Sequence, residues 1–250
     1  MEAPFLLAKA IGIPHLKRRR RVWAFLPSDY QHNHHKRYPV IYFHDAQNIF
    51  EHWRAAFGQS WEVHHAMRRM AAKGWRESII IGIEHANRKR IREFTPMNRK
   101  GEFAEGNAYA DFVANKLKPF VDKKLRTLPE REHTMMMGSS MGGLITFFTG
   151  FKHQDVFSKL GVFSPSFWIT PTLYSLVKEV GRHYPMKIFL LAGEKEGKVM
   201  VQKTRDMHQT LLHAGFPHNE LVLAIRPHGE HNEAFWRHEF EECYYWLMNG

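Results

Sequence analysis

His133-Thr134-Met135-Met136-Met137-Gly138-Ser139-Ser140-Met141-Gly142-Gly143-Leu144-Ile145-Thr146-Phe147-Phe148-Thr149-Gly150 is the stretch that decides the fold. An apolar run from His133 to Met137 reads as a strand, and Leu144 to Gly150 reads as a helix closed by glycine. Between them, Gly138, Ser140 and Gly142 form Gly-x-Ser-x-Gly, which carries meaning only in a strand–turn–helix context. Such a turn is too tight for side chains beside the serine, so both flanking positions want glycine. It lifts the Ser140 hydroxyl above a sheet and sets the Met141 amide, at a helix N-terminus, where an anion would be held. Ser139 has no glycine at the matching spacing behind it.

Working outward, the chain alternates strands and helices. Residues 1–15 read as an entry segment with a first strand, and Lys17 to Leu26 as a second. Pro39 to His44 and Ser78 to Ile83 are continuous apolar runs, expected of parallel strands buried on both faces. Trp61 to Lys73 reads as a helix ended by Gly74. Glu84 to Gly106 reads as an irregular, functional loop. Ala108 to Arg126 has apolar residues at helical spacing. Leu160 to Phe163, Lys187 to Gly193 and Leu221 to Arg226 complete the strands. Thr170-Pro171 opens a helix to about Val180, Val199 to Leu212 forms another, and Asn232 is placed to cap the last. The pattern predicts one α/β domain over residues 1–250, with a mostly parallel central sheet, helices on both faces and no large cap domain.

Length and composition agree with that expectation. The 250 residues, 44% hydrophobic and 24% charged, suffice for a full core. The lone cysteine, Cys243, excludes an internal disulfide. No apolar run approaches a membrane span, and the N-terminus lacks a signal-peptide pattern, so a cytoplasmic protein without membrane association is expected. His32, His34 and His35 lack companions at metal-ligand spacing, and neither a metal nor a cofactor is called for. The net charge of +11 lies wholly in residues 1–100, which hold 19 Lys/Arg and 8 Asp/Glu. No nucleic-acid motif accompanies it. Lys17 to Arg21 reads as the charged lead-in of a solvated sheet edge; an anionic substrate is the other use for such a field.

A serine hydroxyl needs a base to take its proton and a carboxylate to orient that base. Two loops after the Ser140 turn supply them in the order serine, acid, histidine. The loop Gly193-Glu194-Lys195-Glu196-Gly197 offers Glu196, with Glu194 as the alternative. The loop Pro227-His228-Gly229-Glu230-His231-Asn232 offers His231, with His228 as the alternative.

With these residues in view, the chain resembles the esterase family of α/β hydrolases that includes esterase D-like, enterochelin esterase-like and feruloyl or acetyl-xylan esterase-like members. The resemblance covers nearly the whole chain. It is carried by residues 20–27 (Arg-Arg-Val-Trp-Ala-Phe-Leu-Pro), residues 38–50 including His44-Asp45-Ala46-Gln47-Asn48, and Arg92-Glu93-Phe94-Thr95-Pro96. Gly138 to Gly143, Phe163-Ser164-Pro165-Ser166-Phe167-Trp168 and Gly229-Glu230-His231-Asn232-Glu233 continue it. It implies an α/β-hydrolase fold, Ser140 as nucleophile, His231 as base, and an acid in the Gly193–Gly197 loop. It also implies a second oxyanion donor among the His44–Gln47 amides, with Ala46 expected. Relatives often carry glycine at that position, and a positive φ there would strain alanine.

The expected activity is hydrolysis of carboxylic esters, with acylated sugars, phenolic esters or siderophore esters as candidate substrates. Thioester hydrolysis and acyl transfer use the same groups, and a non-catalytic polyanion-binding module is the reading from another class. Trp61, Trp168, Phe235 and Trp236 are expected near the site, as an aromatic pocket or as core.

Overall fold

The structure, a computed structural model, describes residues 3–55, 58–97 and 104–249. Eight strands form one sheet: β1 (Phe5–Ile13), β2 (Arg18–Phe25), β3 (Val40–His44), β4 (Ile79–Ile83), β5 (Thr134–Ser139), β6 (Lys159–Phe163), β7 (Lys187–Gly193) and β8 (Leu221–Arg226). Their order across the sheet is β1-β2-β4-β3-β5-β6-β7-β8. β1 and β2 are antiparallel, as are β2 and β4, and every pairing from β4 to β8 is parallel. β3, β4 and β5 are buried along their whole length, which is why their sequences are continuously apolar rather than alternating.

The helices are α1 (Val63–Ala72), α2 (Arg90–Phe94), α3 (Gly106–Phe112), α4 (Lys118–Lys124), α5 (Met141–Lys152), α6 (Thr172–Val180), α7 (Lys198–His213) and α8 (Glu233–Asn249). α1 and α8 pack on one face of the sheet with Phe43, Met137, Phe163 and Phe189. α3, α5, α6 and α7 pack on the other with Tyr42, Met136, Val162 and Leu190. α1 turns Val63, Ala66, Met67 and Met70 inward, one apolar stripe of a 3.6-residue period. α5 is buried from Met141 to Phe151, so it carries no polar face at all.

Three expectations are corrected. First, Lys17 to Arg21 is solvated only at Lys17, Arg19 and Arg21 and does not lie at a sheet edge: β1 folds back onto β2 and takes the edge position. Arg18 and Arg20 turn to carboxylates instead, Arg18 Nη1 to Glu93 Oε1 at 2.8 Å and Arg20 Nη2 to Glu93 Oε2 at 2.5 Å. Second, the segment from Glu84 to Gly106 contains a 3-10 turn, Asn87–Lys89, followed by α2, while residues 98–103 lie outside the described residues. A five-residue helix has little stability of its own; α2 is held by Phe94, whose ring packs against His44 and Tyr109. Third, the helix expected from Ala108 to Arg126 is present from Gly106 to Lys124 but is not a regular α-helix: a π-helical turn at Val113–Leu117 joins α3 to α4. Pro119 explains the turn, because a proline lacks the N–H and its ring collides with the carbonyl four residues back. The Lys118 N–H reaches Val113 O, and the wider turn makes room for the ring.

Candidate active site

The turn between β5 and α5 holds Ser140 at φ 58°, ψ −123°, a conformation unfavourable for a residue with a side chain. Backbone bonds on both sides hold it there: Ser140 N–H to Phe163 O at 2.9 Å and Ser166 N–H to Ser140 O at 3.1 Å. The glycines beside it have no room for more. A Cβ on Gly138 would lie 2.6 Å from Gly142 O, and one on Gly142 would lie 2.8 Å from Asp45 Oδ2.

Ser140, His231 and Glu196 meet at the carboxyl ends of three parallel strands. His231 Nε2 lies 3.0 Å from Ser140 Oγ, and His231 Nδ1 lies 2.7 Å from Glu196 Oε1. The second Glu196 oxygen accepts the Gly193 N–H at 2.7 Å, which fixes the carboxylate's direction. The Glu196 side chain is 1% exposed, whereas that of His231 is 39% exposed. Trp236 meets the imidazole edge-on at 5.0 Å and is itself anchored by Nε1–H to Ser164 Oγ at 2.8 Å. Asn232 caps α8 by accepting the Phe235 N–H at 2.9 Å, so the residue after His231 is tied to the helix. A hydroxyl, an imidazole and a carboxylate so arranged can carry a proton away from the hydroxyl as it attacks.

The alternatives lie elsewhere. Glu194 is exposed and lines a cavity of about 570 Å³ with Lys198, Val199 and Gln202. His228 is exposed as well. The four aromatic candidates divide. Trp61 is 2% exposed, packed between Phe43, Phe163 and Trp236, so it belongs to the core rather than to a pocket. Trp236 is 4% exposed and supports His231 from beneath, and Phe235 closes over Gly229. Trp168 is the one of the four with substantial exposure, at 39%.

Ala46 is corrected. Its N–H is spent on Ile83 O at 3.0 Å, and the positive φ belongs to its neighbour Asp45, at 56°. Alanine is therefore unstrained, and its amide points toward β4, away from Ser140. The amides of Asp45 and Gln47 bond no acceptor among the described residues.

Several site residues carried no sequence signal that singled them out. Ser166 Oγ stands 3.5 Å from Ser140 Oγ. Asp45, buried beside Gly142, forms a two-point ion pair with Arg90, both contacts 2.7 Å. Burial pushes the Asp45 carboxyl up, but the Arg90 charge and its hydrogen bonds outweigh it and hold the group below the usual carboxylate range. Glu233, buried at the start of α8, accepts Asn48 Nδ2–H at 3.0 Å; burial first, and the Asp45 charge with it, push its carboxyl up. Gln47 clasps the His85 backbone with both ends of its amide, at 3.1 and 3.3 Å. Arg90 belongs to a stretch that reads as loop, and nothing in the sequence ties it to Asp45. Among the described residues, no group of three or more His, Cys, Asp or Glu is placed to hold a metal, and no helix is long and apolar enough to cross a membrane.

The sheet order, the elbow and the loop positions are those of the α/β-hydrolase fold. Solved structures with the same fold include a ferulic acid esterase (19% identity, TM-score 0.74, 98% of both chains covered) and the BES protein from Bacillus cereus (19%, 0.76, all of this chain and 96% of that one). The family described as Putative esterase matches residues 13–247, and the chain belongs to it, a family of carboxylic ester hydrolases. Among relatives, protein YbbA of Bacillus subtilis (strain 168) is 25% identical over 242 residues, covering 91% of this chain and 92% of YbbA. The iron(III) enterobactin esterase of Dickeya dadantii (strain 3937) is 28% identical over 154 residues, covering 55% of this chain and 33% of that enzyme.

Proposed function

We propose that this esterase works through an acyl-enzyme on Ser140. The observation that carries the reading is His231 bridging Ser140 Oγ at 3.0 Å and Glu196 Oε1 at 2.7 Å. Ser140 Oγ attacks the ester carbonyl while His231 Nε2 takes its proton, and Glu196 holds the imidazole in the required tautomer and balances its charge. The tetrahedral oxyanion accepts the Met141 N–H at the start of α5. The second donor comes from the amide of Asp45 or Gln47, neither of which bonds an acceptor among the described residues. Collapse of the intermediate expels the alcohol, which takes the proton from His231. Water then repeats the sequence and releases the acid. The 39% exposure of His231 gives water direct access, which favours hydrolysis over acyl transfer.

Substrates with an anionic portion fit the charge distribution. At the same sheet edge, a cavity of about 360 Å³ is lined by Arg18, Arg19, Arg20, Arg21, Glu84 and Lys89; Arg18 and Arg20 are paired with Glu93 and Arg21 with Glu84, so Arg19 and Lys89 carry its positive charge. It adjoins the site through the Gln47–His85 clasp. Phenolic, sugar and siderophore esters are the candidate classes, and the open site admits bulky ones.

Hydrolysis of p-nitrophenyl acetate and of a phenolic ester by wild type, Ser140→Ala and His231→Ala tests the mechanism. Both variants should lose at least ~10³ in kcat. A Ser140→Ala enzyme that keeps its rate would end the acyl-enzyme reading. An inert wild type that still binds polyanions in a salt-sensitive way would favour a binding module instead. Equal kcat/KM for neutral and anionic esters, with no salt dependence, would remove the anionic preference.

A further inference from the structure

At the other end of the sheet, where β6 and β7 begin, two lysines stand side by side. Lys159 and Lys187 are register partners on adjacent parallel strands. They share a residue parity with Gly161 and Phe163 and with Phe189 and Leu191, so both project to the α8 face. Both line a cavity of about 730 Å³ whose other walls include Tyr184, Pro185, Met186 and Asn219.

The surrounding charge does not neutralise them. Neither ammonium has an ion-pair or hydrogen-bond partner among the described residues; Lys187 Nζ lies over the Trp246 ring, 5.7 Å from its centroid. Arg131, Glu132 and Glu220 also line the cavity. Arg131 is spent on the Gln154 and Pro185 carbonyls at 2.9 and 2.8 Å, with Glu132 Oε1 at 3.4 Å. Glu220 is taken at two points by Arg182, at 2.8 and 2.6 Å. Burial, with the charges of Lys187 and Arg76, pushes Lys159 down to about 8 against a weak opposing pull from Glu132; burial lowers Lys187 too. Partly buried ammonium groups with no carboxylate partner cost stability, and the Trp246 ring offsets that cost for Lys187 alone. Lys159 lies four residues down β6 from Phe163, whose carbonyl holds Ser140, roughly 13 Å at strand rise; ester hydrolysis has no use for it.

We infer that this cavity binds a small amphiphilic anion, its oxyanion head between Lys159 and Lys187 and its apolar body along Tyr184 and Pro185. The probe is 8-anilinonaphthalene-1-sulfonate, with neutral N-phenyl-1-naphthylamine as control. The protein is Ser140→Ala, so that turnover does not intrude. Saturable sulfonate binding should weaken at least tenfold in Ser140→Ala/Lys159→Met/Lys187→Met, while the neutral dye changes less than twofold. Decanoate should displace the sulfonate, and inorganic phosphate at the same concentration should not. With Ser140 intact, the two lysine changes should leave ester turnover within twofold, so this site and the acyl-enzyme mechanism stand or fall separately. The melting temperature should hold or rise, since methionine relieves buried like charge; a fall would identify a structural pair and overturn the inference. Unchanged sulfonate affinity, equal loss of the neutral dye, or displacement by phosphate as potent as by decanoate would also overturn it. Should the double change prevent folding, Lys187→Gln alone, at the less buried lysine, gives the same binding readout.

Discussion

Gly193 and Gly229 touch backbone to backbone: a Cβ on Gly229 would lie 2.7 Å from Gly193 Cα, and one on Gly193 would overlap the Gly229 carbonyl. The contact joins the loop carrying Glu196 to the loop carrying His231, and Lys195 N–H to Gly229 O at 3.2 Å reinforces it. The 2.7 Å Glu196–His231 distance depends on this approach. Gly193→Ala should therefore push the loops apart and lower kcat by at least ~10-fold, with a smaller change in KM, since small misplacements of reacting groups are costly. Steady-state kinetics on p-nitrophenyl acetate, alongside circular dichroism to verify the fold, checks it; undiminished kcat would show that the loops adjust independently.

The two loop acids separate by mutation. Glu196→Gln should lose about 10²–10⁴ in kcat, because an amide fixes the imidazole less well and cannot balance its charge. Glu194→Gln should stay within twofold, since Glu194 faces the α7 side. Reversed outcomes would transfer the acid's role to Glu194.

Asp45 and Arg90 form a partly buried pair whose members cannot be removed singly without cost. Arg90→Met leaves the Asp45 carboxylate unpaired beside Gly142 and should destabilise by about 3–5 kcal/mol. Asp45→Asn combined with Arg90→Met should recover much of that loss. Urea unfolding of the three variants measures it, and an additive double variant would mean the pair is not energetically coupled.

Acid should weaken the fold through His44. Burial lowers it to about 4 from an ordinary 6.5. Between those values the unfolded chain takes up a proton that the folded chain refuses, so stability falls as pH drops from 6.5 to 4 and this loss is complete below. The difference corresponds to about 3 kcal/mol. Asp45, held low by Arg90, adds a loss at still lower pH, as its carboxylate protonates. Urea unfolding at pH 7 and pH 4 should show a smaller loss in His44→Leu by at least about 1 kcal/mol; an equal loss would locate the acid sensitivity elsewhere.

The basic cavity beside the site has its own test. Arg19 and Lys89 are exposed at its rim. Arg19→Glu/Lys89→Glu should raise KM for an anionic phenolic ester several-fold at low salt, with little change for a neutral one, an effect that 0.5 M salt should erase. Equal changes for both esters would assign those residues to general stability.

Much of this protein was decided by local sequence. Buried parallel strands must be apolar on both faces, so β3, β4 and β5 are legible as runs of Val, Ile, Tyr and Met. The elbow is legible because only glycine fits beside Ser140, and the cap of α8 because Asn232 can satisfy a free N–H. The order of serine, acid and histidine along the chain follows from the sheet's connections. Only the tertiary structure distinguishes Glu196 from Glu194 by contact: both stand on one loop, and it is Glu196 whose oxygens reach Gly193 N–H and His231. It also took the Ala46 amide for β4, buried Trp61, and paired Arg90 with Asp45 across 45 residues of chain. Those outcomes depend on the directions of side chains and amides in space, and local composition does not encode them.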